Sequence, residues 1–242
     1  MGVFRNVAID NLPAPVVNFL NVIGVPWPYI DEDVVQQFAS LTRDFGQAVQ
    51  TTHDQASQAV QAISQAHQAQ STQYMASSWA TMSDTEVSAI VAGCTALATA
   101  LDVAAGYIVA QKITALGVLV GMAAAFIGDQ IAAVATFGIA EVAVPIIIAA
   151  GQRVVKALVM SLEQYIIAEV INAAAQPLFA KVQEAMAGLD WSKSGTPPTN
   201  AGDGFMINPT AVATQTAALR TYAQTMLSKG QQYQTTVQGL DF

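Results

Sequence analysis

From Val34 the positions Val34, Phe38, Leu41, Phe45, Ala48, Thr52, Gln55, Ala59 and Ala62 recur at alternating steps of four and three. Such a heptad seam predicts a helix that packs lengthwise against another helix. Pro26, Pro28 and the trio Asp31-Glu32-Asp33 mark its start, because carboxylates suit the positive N-terminal end of a helix dipole. No proline interrupts residues 31–77, which predicts a rod about 70 Å long at a rise of about 1.5 Å per residue. Its other faces carry Gln, Ser and Thr rather than charges. Ser83-Asp84-Thr85-Glu86 then reads as a capping box that starts a second helix at about Asp84. Helices joined by a short turn run antiparallel, so Trp79 is expected at the tip of a long hairpin.

From about Val87 to Leu189 the chain is at its most apolar. Its uncharged runs are Val87–Leu101, Val103–Gln111, Ile113–Gly128, Gln130–Ala140 and Val142–Gln152, the longest being 16 residues. A bilayer crossing needs about 20 predominantly apolar residues. Asp102, Lys112, Asp129, Glu141, Arg153 and Lys156 interrupt too regularly for that, so a buried helical core is expected, with these charges at helix ends or on wet faces. Gly117 and Gly121 form a GxxxG pattern that lets helices approach closely. Pro145 and Pro177 are expected to end or kink helices.

Past Leu189-Asp190-Trp191 the stretch SKSGTPPTNAGDG, Ser192 to Gly204, reads as a linker. Asn208-Pro209 then supplies an N-cap and a first-turn proline for a last helix to about Val237. The expected class is all-α: a long antiparallel helical hairpin elaborated by an apolar helical bundle, with a C-terminal helix after a linker. The expected divisions are an N-terminal arm (1–30), the elaborated hairpin (31–191), the linker (192–207) and the C-terminal helix (208–242).

Composition narrows the chemistry. Of 242 residues 53% are apolar and 11% charged, against about 25% charged in ordinary globular domains, which suits closely packed helices. A formal charge of −8 with nine Lys plus Arg leaves no basic stripe for phosphates, so nucleic acid is not an expected partner. Cys94, the one cysteine, can close neither an intrachain disulfide nor a Cys-based zinc site and reads as a small buried side chain. His53 and His67 lie fourteen residues apart, about 21 Å along one helix, too far to share a metal. There is no phosphate loop, dinucleotide fingerprint or GxSxG elbow, so no catalytic residue, cofactor or metal is expected and the protein does not read as an enzyme. The N-terminus MGVFRNVAIDNLPAPVV lacks the pattern of a secretory signal.

A long charge-poor helix, a turn bearing Trp79, a capping box and a returning helix, without such a signal, resemble the W-x-G family of type VII secretion substrates. The family motif is Trp-x-Gly, whereas this chain has Trp79-Ala80-Thr81. The stretches IGVPWPYIDEDVVQQFA, SSWATMS and PLFAKVQEAMAGLDW are similar to the N-terminal helical region of actinobacterial secreted proteins, many of them polymorphic toxins. The resemblance covers roughly residues 20–191. It implies export by a signal-peptide-independent route to the medium or the cell surface, pairing with a helical partner or with itself, and handling by a secretion ATPase. It also implies a Tyr-x-x-x-Asp/Glu signal, for which Tyr165 to Glu169 and Tyr29 to Asp33 are the candidates; Tyr165 is preferred because it follows the hairpin.

The leading expectation is therefore a non-catalytic helical secretion and assembly module, with Trp79, Tyr165 and Glu169 as secretion residues and Phe38, Leu41, Phe45 and Val60 on an assembly seam. The alternative is a membrane-active, pore-forming protein that inserts an apolar hairpin of about residues 113–150, with Gly117 and Gly121 in its packing face and Asp129 near its tip; a membrane is expected as partner only under this alternative. A cytoplasmic helical scaffold is the third possibility. The last helix can also fold back on the first, in which case part of the seam is satisfied within the chain.

Overall fold

The structure, a computed structural model, describes residues 12–82, 87–135, 144–180, 183 and 206–241. It is all-α. Helices α1 (Ala14–Ile23), α2 (Glu32–Ala66), α3 (Gln70–Met82), α4 (Ser88–Ala135) and α5 (Val144–Tyr165) are followed by a π-helical segment (Ile166–Ala175) and by α6 (Pro209–Gln238). Two two-residue strands, β1 (His67–Gln68) and β2 (Met206–Ile207), pair antiparallel, with His67 opposite Ile207 and Gln68 opposite Met206. The chain divides into two compact units. The first comprises Met1–Gln37, Leu101–Ile171 and Asp241–Phe242; the second comprises Phe38–Ala100 and Asn172–Leu240.

In the first unit α1 buries Val16, Phe19, Leu20 and Ile23, the i, i+3, i+4, i+7 stripe of an amphipathic helix. It ends at Gly24, whose φ of 67° is the left-handed C-cap that glycine adopts without steric cost. The Gln152 amide donates to the Ile23 carbonyl at 2.8 Å, tying α5 to that end. At Gly151 an added Cβ would lie 2.9 Å from the Phe19 ring, so only glycine permits this approach of α1 to α5. Pro145 is the second residue of α5, where a missing N–H costs no helical hydrogen bond. Ser161 hydrogen-bonds Tyr107 at 2.6 Å, and Phe19 touches both Phe126 and Gly151. These contacts run α5 back along α4.

At the head of α2, the Asp31 carboxylate accepts from the backbone amides of Asp33 and Val34 at 2.9 and 3.2 Å, as the acidic helix start predicts. Glu32 does something else. Its carboxylate and the Lys112 ammonium lie 3.0 Å apart with both side chains fully buried, and Lys112 also donates to the Ile30 carbonyl at 2.6 Å. This corrects the expectation that every charge in the apolar region sits at a helix end or on a wet face. Asp102, Arg153 and Lys156 are exposed as expected. Lys112 is in mid-helix and inside because a carboxylate and a carbonyl replace its water.

In the second unit α2 does not continue to residue 77. It stops at Ala66, after 35 residues, and α3 returns along it. Nothing in QAHQAQSTQ breaks a helix by itself. The break is tertiary: the Asn208 amide donates to the Ala66 carbonyl at 2.9 Å, while the buried Thr72 hydroxyl lies 2.8 and 2.7 Å from the carbonyls of His67 and Ala69, which share its one proton, and accepts from the Ala69 amide. Together with the β1–β2 pair these partners replace the helical bonds that the chain gives up. As contacts on α2 descend from Ser57 to Gly46, their partners climb from Trp79 on α3 to Cys94 on α4, which is the expected antiparallel hairpin.

The buried stripe of α2 is displaced by one residue from the expected seam. It runs through Val35, Ala39, Thr42, Gly46, Val49, His53, Ala56, Val60 and Ile63, again in steps of four and three. Small side chains decide the phase. At Gly46 an added Cβ would lie 2.9 Å from the Cys94 Cβ, and a helix pair this close needs Gly, Ala and Thr between the axes. Phe38, Leu41 and Phe45 are left half-buried on the flank.

The capping box, the linker from Ser192 to Gly204 and Trp191 lie outside the described residues. Asn208 caps α6, its side chain accepting from the Ala211 amide, with Pro209 in the first turn.

Lys112→Met should lower the free energy of unfolding by about 3–5 kcal/mol, because it removes the cation paired with a buried carboxylate, whereas Glu32→Leu combined with Lys112→Met should recover most of that loss. Urea denaturation followed by circular dichroism measures both.

Candidate functional site

Trp79 lies in the last turns of α3 and faces α2. Its indole N–H donates to the Ser57 hydroxyl at 2.8 Å, and its ring stacks on His53 with centroids 5.4 Å apart and planes 6° from parallel. His53 and Ser57 stand one turn apart on α2, with the His53 Nε2 3.3 Å from the Ser57 oxygen. An indole N–H only donates, so Ser57 accepts from Trp79, and its own proton can go to Nε2 when the imidazole carries its hydrogen on Nδ1. The result is a half-buried tryptophan held at its face by an imidazole and at its polar edge by a hydroxyl. A cleft of about 520 Å³ opens beside it, lined by Ser57, Val60, Gln61, Ser64, Gln65, Ala76, Trp79 and Ala80.

One expectation is corrected here. Trp79 is not at the hairpin tip, which lies at residues 67–69, but about two turns down α3. Thr81, where Trp-x-Gly has its glycine, is inside the same helix, a conformation that needs no glycine. His53 belongs to the buried stripe of α2 and lies beneath the indole. Reading the α2 stripe one residue later would have put His53 inside and Ser57 beside it.

The tyrosine candidates belong to the first unit. Tyr165 ends α5, half-buried, and stacks on Tyr107 with centroids 4.0 Å apart. Glu169 follows in the π-helical segment and is exposed. Tyr29 is 64% exposed and Asp33 is exposed at the start of α2. Slight desolvation, then the neighbouring Asp31 and Glu32, raises the Asp33 carboxyl above its ordinary value.

The seam residues divide. Val60 is 4% exposed and lines the floor of the cleft beside Trp79. Phe45 is covered by α6: Tyr233 stacks on it at 4.7 Å with planes 13° apart. The Thr42 hydroxyl donates to the Phe38 carbonyl and therefore accepts from the Tyr233 hydroxyl, 2.9 Å away. The last helix, α6, thus folds back on α2. Burial raises the Tyr233 phenol, against the Thr42 hydrogen bond that lowers it. Cys94 is free and buried, and that burial pushes its thiol up.

Of the membrane-insertion residues, Gly117, Gly121 and Asp129 all lie within the single helix α4. Asp129 is therefore not at a hairpin tip; one carboxylate oxygen of this half-buried residue is buried without a hydrogen-bond partner. Among the described residues α4 is the one helix long and apolar enough to cross a membrane, and only 28% of its most apolar window is buried. The expectation of a buried core thus describes one side of α4 only. No group of three His, Cys, Asp or Glu that could hold a metal occurs among the described residues.

A family model described as a WXG100-like domain matches residues 9–154, more than half of the chain. Among curated proteins and among solved structures nothing matches.

Trp79→Phe should keep the stack on His53 and lose one hydrogen bond, costing about 1 kcal/mol. Trp79→Ala should cost about 2–3 kcal/mol, less than for a fully buried tryptophan. Calorimetry separates the two. Cys94 should resist alkylation in the native state and react at the rate of unfolding, because its thiol is both covered and held protonated; thiol titration across a urea series measures this.

Proposed function

Because the chain belongs to the WXG100-like domain family, a class of helical proteins associated with type VII secretion, we propose that it is a non-catalytic secretion and assembly module, exported folded and without a cleaved signal. The observation that carries the reading is the Trp79 lock. Within the family-matched region the hairpin holds its tryptophan against α2 by an imidazole stack and a hydroxyl, beside an open cleft. That is a pre-organised surface feature of a folded hairpin, suited to recognition by a secretion ATPase or a helical partner.

In this reading the export signal includes Glu169, exposed on the π-helical segment one turn beyond Tyr165. Tyr29 with Asp33 is the competing pair and presents a more accessible ring. The mature protein resides in the medium or on the cell surface, and the region can serve as the N-terminal export module of a longer toxin-like chain. The divisions at residues 31–191 and 208–242 are retained as functional ones, with α6 acting as a cover for the flank of α2 rather than as a free assembly helix.

The second reading, membrane activity, is favoured by one observation, the largely exposed apolar length of α4. Dye release from vesicles at neutral pH would put it ahead.

Trp79→Ala, Glu169→Ala and Tyr29→Ala chains should be compared in secreted and cellular fractions, with folding checked by circular dichroism. Loss of Trp79 together with loss of one acidic tyrosine motif should abolish export while helicity is retained. Normal secretion of all three folded variants would overturn the reading.

A further inference from the structure

Between Val103 and Ile131, α4 keeps a stripe exposed at alternating steps of three and four residues. Its large members are apolar and between 44% and 66% exposed. Small residues at Ala110, Gly117 and Ala124 alternate with large ones at Ile113, Val120 and Ile127, and the stripe closes with Gly106 near one end and Ile131 at the other. The period is that of a coiled-coil seam, in which each knob enters a hole on a facing helix.

We propose that this stripe is a self-pairing surface: a second copy of the chain packs on it antiparallel, about a two-fold axis passing close to Val118 and Leu119. The register follows from size. Antiparallel seams set each position of one class against the other class on the partner, which brings Ile127 onto Ala110, Val120 onto Gly117, Ile113 onto Ala124 and Ile131 onto Gly106. From Gly106 to Ile131 every large side chain of the stripe then meets a small one. A parallel pair would instead set Ala110 and Gly117 against themselves, leaving voids, and crowd isoleucine against isoleucine.

Independent support comes from the glycines. At Gly106, Gly117, Gly121 and Gly128 an added Cβ would meet nothing within 4 Å, so the single chain has no steric need for them, although each weakens a helix interior. A helix approaching from outside supplies the need. Charge agrees. From Val103 to Ile131 the charged residues are Lys112 and Asp129; neither falls on the stripe, and Lys112 is bound inside by Glu32.

The area sets the strength. A face about 42 Å long and roughly 10–12 Å wide buries on the order of 450 Å² on each copy. The pair then falls just below the lower limit of about 1,000 Å² for a stable specific interface, the size of a weak, reversible dimer. This inference stands on α4 and not on the export reading, so a failure of secretion tests leaves it intact.

The test uses the full chain. Sedimentation equilibrium across about 1 to 100 µM should show a reversible dimer. Gly117→Leu should leave the melting temperature of the single chain unchanged or raised and weaken the dimer on the order of a hundredfold, since the symmetric pair meets the added bulk twice. On a Cys94→Ala background, Ile113→Cys chains mixed with Ala124→Cys chains should cross-link on oxidation, and Ile113→Cys alone should not. A strict monomer, an undisturbed Gly117→Leu dimer, or self-cross-linking of Ile113→Cys would each overturn the proposal. So would a monomer that partitions onto phosphatidylcholine vesicles, which would assign the stripe to lipid.

Discussion

The buried ion pair between Glu32 and Lys112 is the constraint on which the register of the first unit rests. An alanine-rich helix such as α4 has many nearly equivalent ways to lie against its neighbours, since small apolar side chains discriminate weakly between positions. A fully buried ammonium does not. It is held by the Glu32 carboxylate and the Ile30 carbonyl together, and sliding α4 by one turn would break this ion pair in a low-dielectric interior. The pair therefore acts as a key: it fixes which residues of α4 face inward at the head of α2, and so which are left to face outward.

The second unit is organised by close approach. Gly46 against Cys94 brings α2 and α4 nearer than side chains of ordinary size allow, and the phase of α2 follows from that demand rather than from where its largest residues lie. Phe38, Leu41 and Phe45 are consequently set to the side, where Phe45 receives Tyr233 from α6. The indole of Trp79 is positioned by the same rotation, because turning α2 by one residue brings His53 and Ser57 under it.

Helix α4 carries opposite demands on its two sides. One side is interior, with Ala104, Ile108, Lys112, Ala115 and Leu119 buried. The other presents isoleucine and valine to solvent in a coiled-coil period. Composition cannot separate a core helix, a membrane span and a partner-binding helix, since all three ask for the same residue types. What separates them is how much of the apolar surface is covered and how the uncovered part is spaced.

The all-α class, the acidic start of α2, the antiparallel return and the Asn208-Pro209 start of the last helix are legible in residue order, because each depends on local chemistry: periodicity, capping side chains and proline geometry. The end of α2 is not legible there. His67 to Ala69 contain no breaker, and the helix stops because Asn208, 142 positions beyond Ala66, supplies a competing amide. The phase of the seam was equally hidden, since a heptad pattern gives the spacing of contacts but not which neighbour will come close enough to require glycine. The inward turn of Lys112 needed a carboxylate eighty residues away, and the partners of Trp79 needed α3 folded onto α2. Spacing is a property of one helix and can be read along it. Phase, burial and pairing belong to two helices at once, and are decided only when the chain brings them together.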